Sequence, residues 1–220
     1  MKSLFLAALA GAAISAHAGI LVPDRSTLST ILGASAVTEG FEAYSITAGS
    51  ATDFGATLDA TTVLNGQGPG LVVPGVSFST AGPSLQLDAS GYFGAPSNEL
   101  LSNSNGLTID FSSPQQAFGV DLRDFAGYLN TATVIVYAAN NTTVLDTYSN
   151  IGLGGTPVFF GYENSSGIGS VFLTGTEPWS PIIDNVEFGS VAGAAPEPST
   201  IMMLLGGAGV VALARKRKSA

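Results

Sequence analysis

The chain of 220 residues contains no cysteine, and its single histidine, His17, lies among the first 18 residues. Everything after that point lacks a thiol nucleophile, an imidazole base and soft metal ligands. Composition therefore excludes Ser-His-Asp and Cys-His catalysis, along with ordinary zinc sites. Disulfides are excluded as well, so stability must come from an apolar core. The roughly 175 residues between the two ends suffice for one domain. Positive charge is almost as scarce. Of seven Lys and Arg residues, Lys2 and the four at 215–218 sit in the termini, leaving Arg25 and Arg123 in residues 19–195. That stretch keeps fifteen of the sixteen acidic residues, a balance of about −13. Such a domain cannot neutralise phosphates, which excludes nucleic-acid partners. Its acidity favours solubility outside the cell and oxygen-ligated cations such as Ca²⁺.

What is present at the two ends specifies a topology. Lys2, an apolar stretch over residues 4–14 and Ala16-His17-Ala18 have the layout of a secretory signal peptide, with cleavage expected after Ala18. At the other end, Pro196-Glu197-Pro198 leads into the apolar run 201–214, which stops at Arg215-Lys216-Arg217-Lys218. As a helix that run measures roughly 21 Å at about 1.5 Å per residue. A bilayer core of about 30 Å asks for about 17–25 residues, a length reached only by counting from Pro198. The segment is thus a marginal anchor, and the basic cluster after it fixes a cytoplasmic C-terminus by the positive-inside rule.

These three parts, in this order over residues 196–218, resemble the PEP-CTERM sorting signal of Gram-negative bacteria. The resemblance implies recognition by an exosortase, a membrane protease acting near the motif, in cells that make exopolysaccharide. Passage through the inner membrane is then expected, followed by residence at the cell surface or in the extracellular matrix. No Leu-Pro-x-Thr-Gly sortase motif is present, and a GPI signal would end without the basic cluster.

Between the ends, short β-branched and aromatic runs alternate with Gly, Asn, Pro and Ser, which predicts an all-β sandwich. The expected organisation is a signal peptide over 1–18, an irregular segment over 19–36, a β-sandwich over 37–190, a linker over 191–195 and the sorting signal over 196–218. Strands are expected at 37–44, 57–64, 72–79, 84–88, 107–111, 118–122, 132–139, 144–148, 158–162, 170–173 and 182–188. The run 132–139 is apolar throughout, which predicts a central strand covered on both sides. A turn is expected at 112–115, where Pro114 presets φ, and another at Asn140-Asn141. Residues 91–104 read as an exposed loop, and no helical periodicity stands out between Ile20 and Val191. Gly40-Phe41-Glu42, Phe118–Leu122, Val134–Tyr137, Phe159-Phe160-Gly161 and Ile183–Val186 together resemble the lectin-like jelly-roll ectodomains common among PEP-CTERM proteins. That likeness implies a non-catalytic domain related in architecture to carbohydrate-binding modules.

Three groups of candidate site residues follow. In the resembled jelly rolls an acid of the first strand and one of the last share a structural Ca²⁺, which nominates Glu42 and Asp184. Ca²⁺ takes six to eight oxygens, so two carboxylates supply part of a shell. Trp179, in Glu177-Pro178-Trp179-Ser180-Pro181, with Tyr92 and Phe93 from the 91–104 stretch, offers a stacking platform for a sugar ring. Arg123, flanked by Asp121 and Asp124, offers either a grip on ligand oxygens or a local ion pair of small worth. Glycoside hydrolysis needs two carboxylates about 5–10 Å apart around a cleft, and nothing marks one pair, so no enzyme is expected. The stretches 66–70 and 152–155 lack the Lys and helix of a phosphate loop and read as turns. The alternative to sugar binding is a structural matrix or envelope protein that self-associates.

Overall fold

The computed structural model describes residues 19–104, 106–125, 130–176 and 179–192. The expected signal peptide, sorting motif, apolar run and basic cluster lie outside these residues. Among the described residues no helix is long and apolar enough to cross a membrane.

The chain begins with β1 (Ile20–Val22), α1 (Arg25–Leu32), β2 (Val37–Glu39), β3 (Ala51–Phe54), β4 (Thr57–Leu58), β5 (Val76–Ser79) and β6 (Leu85–Asp88). It continues with β7 (Glu99–Ser102), β8 (Leu107–Arg123), β9 (Thr131–Ala138), β10 (Val144–Gly152), β11 (Val158–Gly175) and β12 (Ile182–Gly189). All pairings are antiparallel, and the main path runs β10-β9-β11-β8-β12-β7-β6-β3.

Two strands hold the architecture together. The first half of β8 pairs with β5 and with the second half of β11; its second half pairs with β12 and the first half of β11. The predicted turn at 112–115 is therefore not a turn. The strand runs through it, with Ser112, Ser113 and Pro114 exposed beside a register break between Glu163 and Ile168. Pro114 is tolerated because the ladder asks no N–H of it there. The expected strands 158–162 and 170–173 are likewise one strand.

The bend through these two strands gives two arms that close over a common core. Rings from opposite arms meet: Phe111 lies 5.3 Å from Phe188, Tyr148 5.3 Å from Phe160, and Phe41 5.2 Å from Phe78. Tyr162 Oη donates to Asp146 Oδ2 at 2.6 Å across the same interface. The all-β sandwich is thus what the alternation in 107–111 and 118–122 foretold, since residues of period two share one face. Strand β9 is buried on one face only (Ala132, Val134, Val136), with Thr133, Ile135 and Tyr137 half-buried, unlike the two-sided burial expected.

The N-terminal segment is ordered rather than irregular. Asp24 caps α1, its Oδ1 accepting from Thr27 N at 2.8 Å. At eight residues the helix is too short for a periodic signal, yet Leu28 and Leu32 are fully buried on the outer face of the sheet with Val22 and Ala117. The cross-strand pair Gly119–Gly161 makes the room: a Cβ on Gly119 would lie 2.6 Å from Leu28 and 2.7 Å from Phe159. Arg25 fastens this layer through Asp121 at 2.9 Å and Glu187 at 3.1 Å.

Two further expectations are corrected. Strand β2 stops at Glu39 instead of reaching 44, because the buried Glu39 accepts from Phe41 N (2.6 Å) and Val73 N (2.8 Å) and turns the chain. The 91–104 stretch is not all loop: residues 99–102 form β7, buried throughout.

Candidate functional site

Three segments distant in sequence converge beside strands β6 and β7. A single 3₁₀ turn at Tyr92–Gly94 holds Phe93 at φ 45°, in the left-handed region unusual for a bulky residue, and leaves its ring 56% exposed. Phe125 follows β8, and Trp179, 39% exposed, precedes β12. Successive rings meet edge to face: Tyr92–Phe93 at 4.4 Å, Phe93–Phe125 at 4.8 Å and Phe125–Trp179 at 6.0 Å. Together with Gln86, Leu101 and Asn103 they line an open cleft of about 380 Å³. The fold thus brings together the predicted Trp179, Tyr92 and Phe93. Phe125 was missed, having no signal beyond its place after a strand.

Hydrogen bonds set the polar part of this cleft. Gln86 and Leu101 are cross-strand partners on β6 and β7. Gln86 Nε2 donates to Asp88 Oδ1 at 2.6 Å. Asn103 Nδ2 donates to Asp53 Oδ1 at 2.7 Å and to Ser84 Oγ at 3.0 Å. Asp124 orders the neighbouring chain, accepting from Phe125 N at 2.8 Å and from Asn130 Nδ2.

Arg123 does not reach this surface. It is 2% exposed, and its Nε donates to both Glu99 carboxylate oxygens at 2.6 Å, with Nη2 also on Glu99 Oε2. The guanidinium is spent inside the fold rather than offered at the surface, and its partner is Glu99 on β7 rather than a flanking aspartate. Asp121 pairs with Arg25 instead. A bidentate pair of this kind is how a guanidinium is tolerated inside a fold.

Glu42 and Asp184 do come to one place. They touch adjacent residues: Asn98 N donates to Glu42 Oε1 at 2.8 Å, and Ser97 Oγ to Asp184 Oδ2 at 2.6 Å. Glu42 is exposed and Asp184 buried. Asp184 also accepts from Asn185 N (2.6 Å) and Asn185 Nδ2 (3.0 Å), so three donors already occupy its two oxygens. Among the described residues no three acidic or imidazole groups gather as a metal cluster. This donor set falls short of a Ca²⁺ shell, because hydrogens rather than lone pairs point into it. Burial pushes the Asp184 carboxyl up to about 7 against the pull of Ser97 and Asn185. Burial likewise raises Asp88, beside the cleft, to about 6, and its Oδ2 has no hydrogen-bond partner.

Residues 194–218 match the PEP-CTERM protein-sorting motif. That match supports an exported protein handled by an exosortase. No curated protein matches the sequence. Among solved structures, a mutant of a family 29 carbohydrate-binding module is 10% identical over 56% of this chain and 84% of its own, with a TM-score of 0.29. A family 35 carbohydrate-binding module from Clostridium thermocellum is 13% identical over 64% of this chain and 99% of its own, also at 0.29. Likenesses this slight decide neither the topology nor a ligand.

Proposed function

We propose that this is a non-catalytic protein of the cell surface or extracellular matrix, sorted by an exosortase, whose lectin-like jelly roll holds carbohydrate in the aromatic cleft. The observation that supports the ligand class is the convergence of Trp179, Tyr92, Phe93 and Phe125 on one solvent-open cleft with amide side chains in its wall. Sugar rings present apolar C–H faces edged by hydroxyls, and such a cleft offers aromatic surface next to hydrogen-bonding groups. The partners are then the exosortase, the inner membrane during sorting, and exopolysaccharide of a Gram-negative cell. Nothing in the reading requires Ca²⁺.

Trp179 is the only tryptophan in the chain, so its fluorescence reports on this site alone. Titrating the purified protein with soluble glycans is expected to shift or quench that emission saturably. Loss of retention on the same immobilised glycans in Trp179→Ala would support the reading; equal retention would sink it. Mass spectrometry of protein recovered from producing cells tests the sorting half: a C-terminus near Pro198 supports processing, an intact Lys218 contradicts it.

Self-association is the second reading, and one observation favours it. Strand β10 ends the sheet, pairs only with β9 among the described strands, and carries Val144 half exposed. An open edge can template another chain. Concentration-dependent assembly by sedimentation, without glycan, would favour that reading over the first.

A further inference from the structure

Resting on the sugar-binding reading of the cleft, we infer that its ligands are uncharged glycans and that it rejects uronic acids. Of the described lining residues none is charged, and the carboxylates stand directly behind its amides. Asp53, exposed at the rim, takes a hydrogen from Asn103 Nδ2, while Ser84 Oγ takes the other. Both amide hydrogens of Asn103 are therefore committed, and its Oδ1 is the end left for a ligand. Gln86 gives one Nε2 hydrogen to Asp88 and keeps the other. The Asn103 amide thus presents an acceptor, while Gln86, Tyr92 and Trp179 carry neutral donors. A sugar hydroxyl can use both kinds of group; a carboxylate, which only accepts when ionised, gains nothing from Asn103 Oδ1.

No cation is at hand to reverse this. Arg25 and Arg123 are the only Lys or Arg residues in 19–195. Arg123 is buried against Glu99, and Arg25 is tied to Asp121 and Glu187. A uronate entering the cleft would lose water around its charge, find only neutral donors in return, and lie near Asp53 and Asp88 with no counter-charge. Like charges placed together in this way act as a selectivity device.

The test compares a neutral hexose oligosaccharide panel with uronic-acid oligosaccharides of equal length at pH 7, read by Trp179 fluorescence and calorimetry on the full chain. Uronic-acid ligands are expected to bind about tenfold more weakly or worse. Asp53→Lys, an exposed change that replaces a negative neighbour of the cleft by a positive one, is expected to shift the ratio of uronate to neutral affinity several-fold toward uronates. Equal affinity of the wild type for both panels would overturn the inference while leaving sugar binding intact. So would an Asp53→Lys protein in which the ratio does not move. If no oligosaccharide of either kind binds, the sugar reading fails and the inference with it.

Discussion

Ten aromatic rings divide into two regions of this molecule, one enclosed by folding and one left partly open to water. In the core, Phe41, Phe78, Phe111, Phe118, Phe160 and Phe188 are all at most 6% exposed and touch one another across the two arms. At the cleft, Tyr92, Phe93, Phe125 and Trp179 form a chain of edge-to-face contacts, and Phe93 and Trp179 face water. The ring spacings are alike in both places, though most core contacts are tilted and the cleft contacts are edge to face. What differs is how much apolar surface folding hides, and the cleft rings leave theirs for something else to cover. The two arginines repeat the lesson: Arg123 is enclosed with Glu99, whereas Arg25 holds its partners at a side-chain exposure of 32%.

Phe118→Ala should break the core side of the comparison most severely. The ring is fully buried against Phe111, Phe160 and Tyr162, so truncation is expected to cost about 3–5 kcal/mol in urea unfolding. Of similar size, Arg123→Leu strands the buried Glu99 carboxylate and should cost about 3–5 kcal/mol. Replacing Glu99 by Leu as well should restore much of that. Arg25→Leu, by contrast, should cost about 1 kcal/mol or less, since its pairs are wetter. Equal losses for the two arginines would remove the distinction.

The pH dependence sharpens the same boundary. An unfolded aspartate ionises near 3.8, but folded Asp184 and Asp88 do so at about 7 and about 6 because burial disfavours the charge. Between those values the folded state binds more protons than the unfolded one, so stability falls as pH rises from about 4 to about 7. Buried Glu39 is raised in the same direction. Exposed Asp24 and half-buried Asp59 are lowered by their own hydrogen bonds and act only at more acidic pH. A melting midpoint several degrees higher at pH 5 than at pH 8 is expected; a flat profile would mean these carboxyls are solvated. Trp179→Ala, at the other end of the scale, should leave stability within about 0.5 kcal/mol, as exposed positions do. Smallest of all is the effect of EDTA: the donors on Asp184 belong to the protein, so the midpoint should not move. A rise of several degrees on adding Ca²⁺ would instead assign the ion to Glu42 and Asp184.

Legibility followed the range of the interactions involved. Strands with local alternation, such as 107–111 and 118–122, were plain from their residues. Their fusion into β8 was not, because Pro114 is a turn signal until a register break excuses its missing N–H. The helix over Arg25–Leu32 escaped notice because two buried leucines make too short a pattern, although Asp24 is a recognisable cap. Strand β7 hid behind Glu99, whose charge reads as surface until Arg123 is found beside it. Three rings of the cleft were legible as exposed aromatics near turn residues; the fourth, Phe125, became meaningful only in place.

By itself the sequence determined the chemistry that is excluded, the acidity of the domain, the β-rich pattern and the sorting motif at 194–218. Those depend on composition and on short ordered runs, which no fold alters. Tertiary structure decided who meets whom: Arg123 with Glu99, Arg25 with Asp121, and Trp179 with Phe125, Phe93 and Tyr92. Pairings of that range arise from strand order and register, and a side chain carries no record of them until the backbone brings its partner within reach.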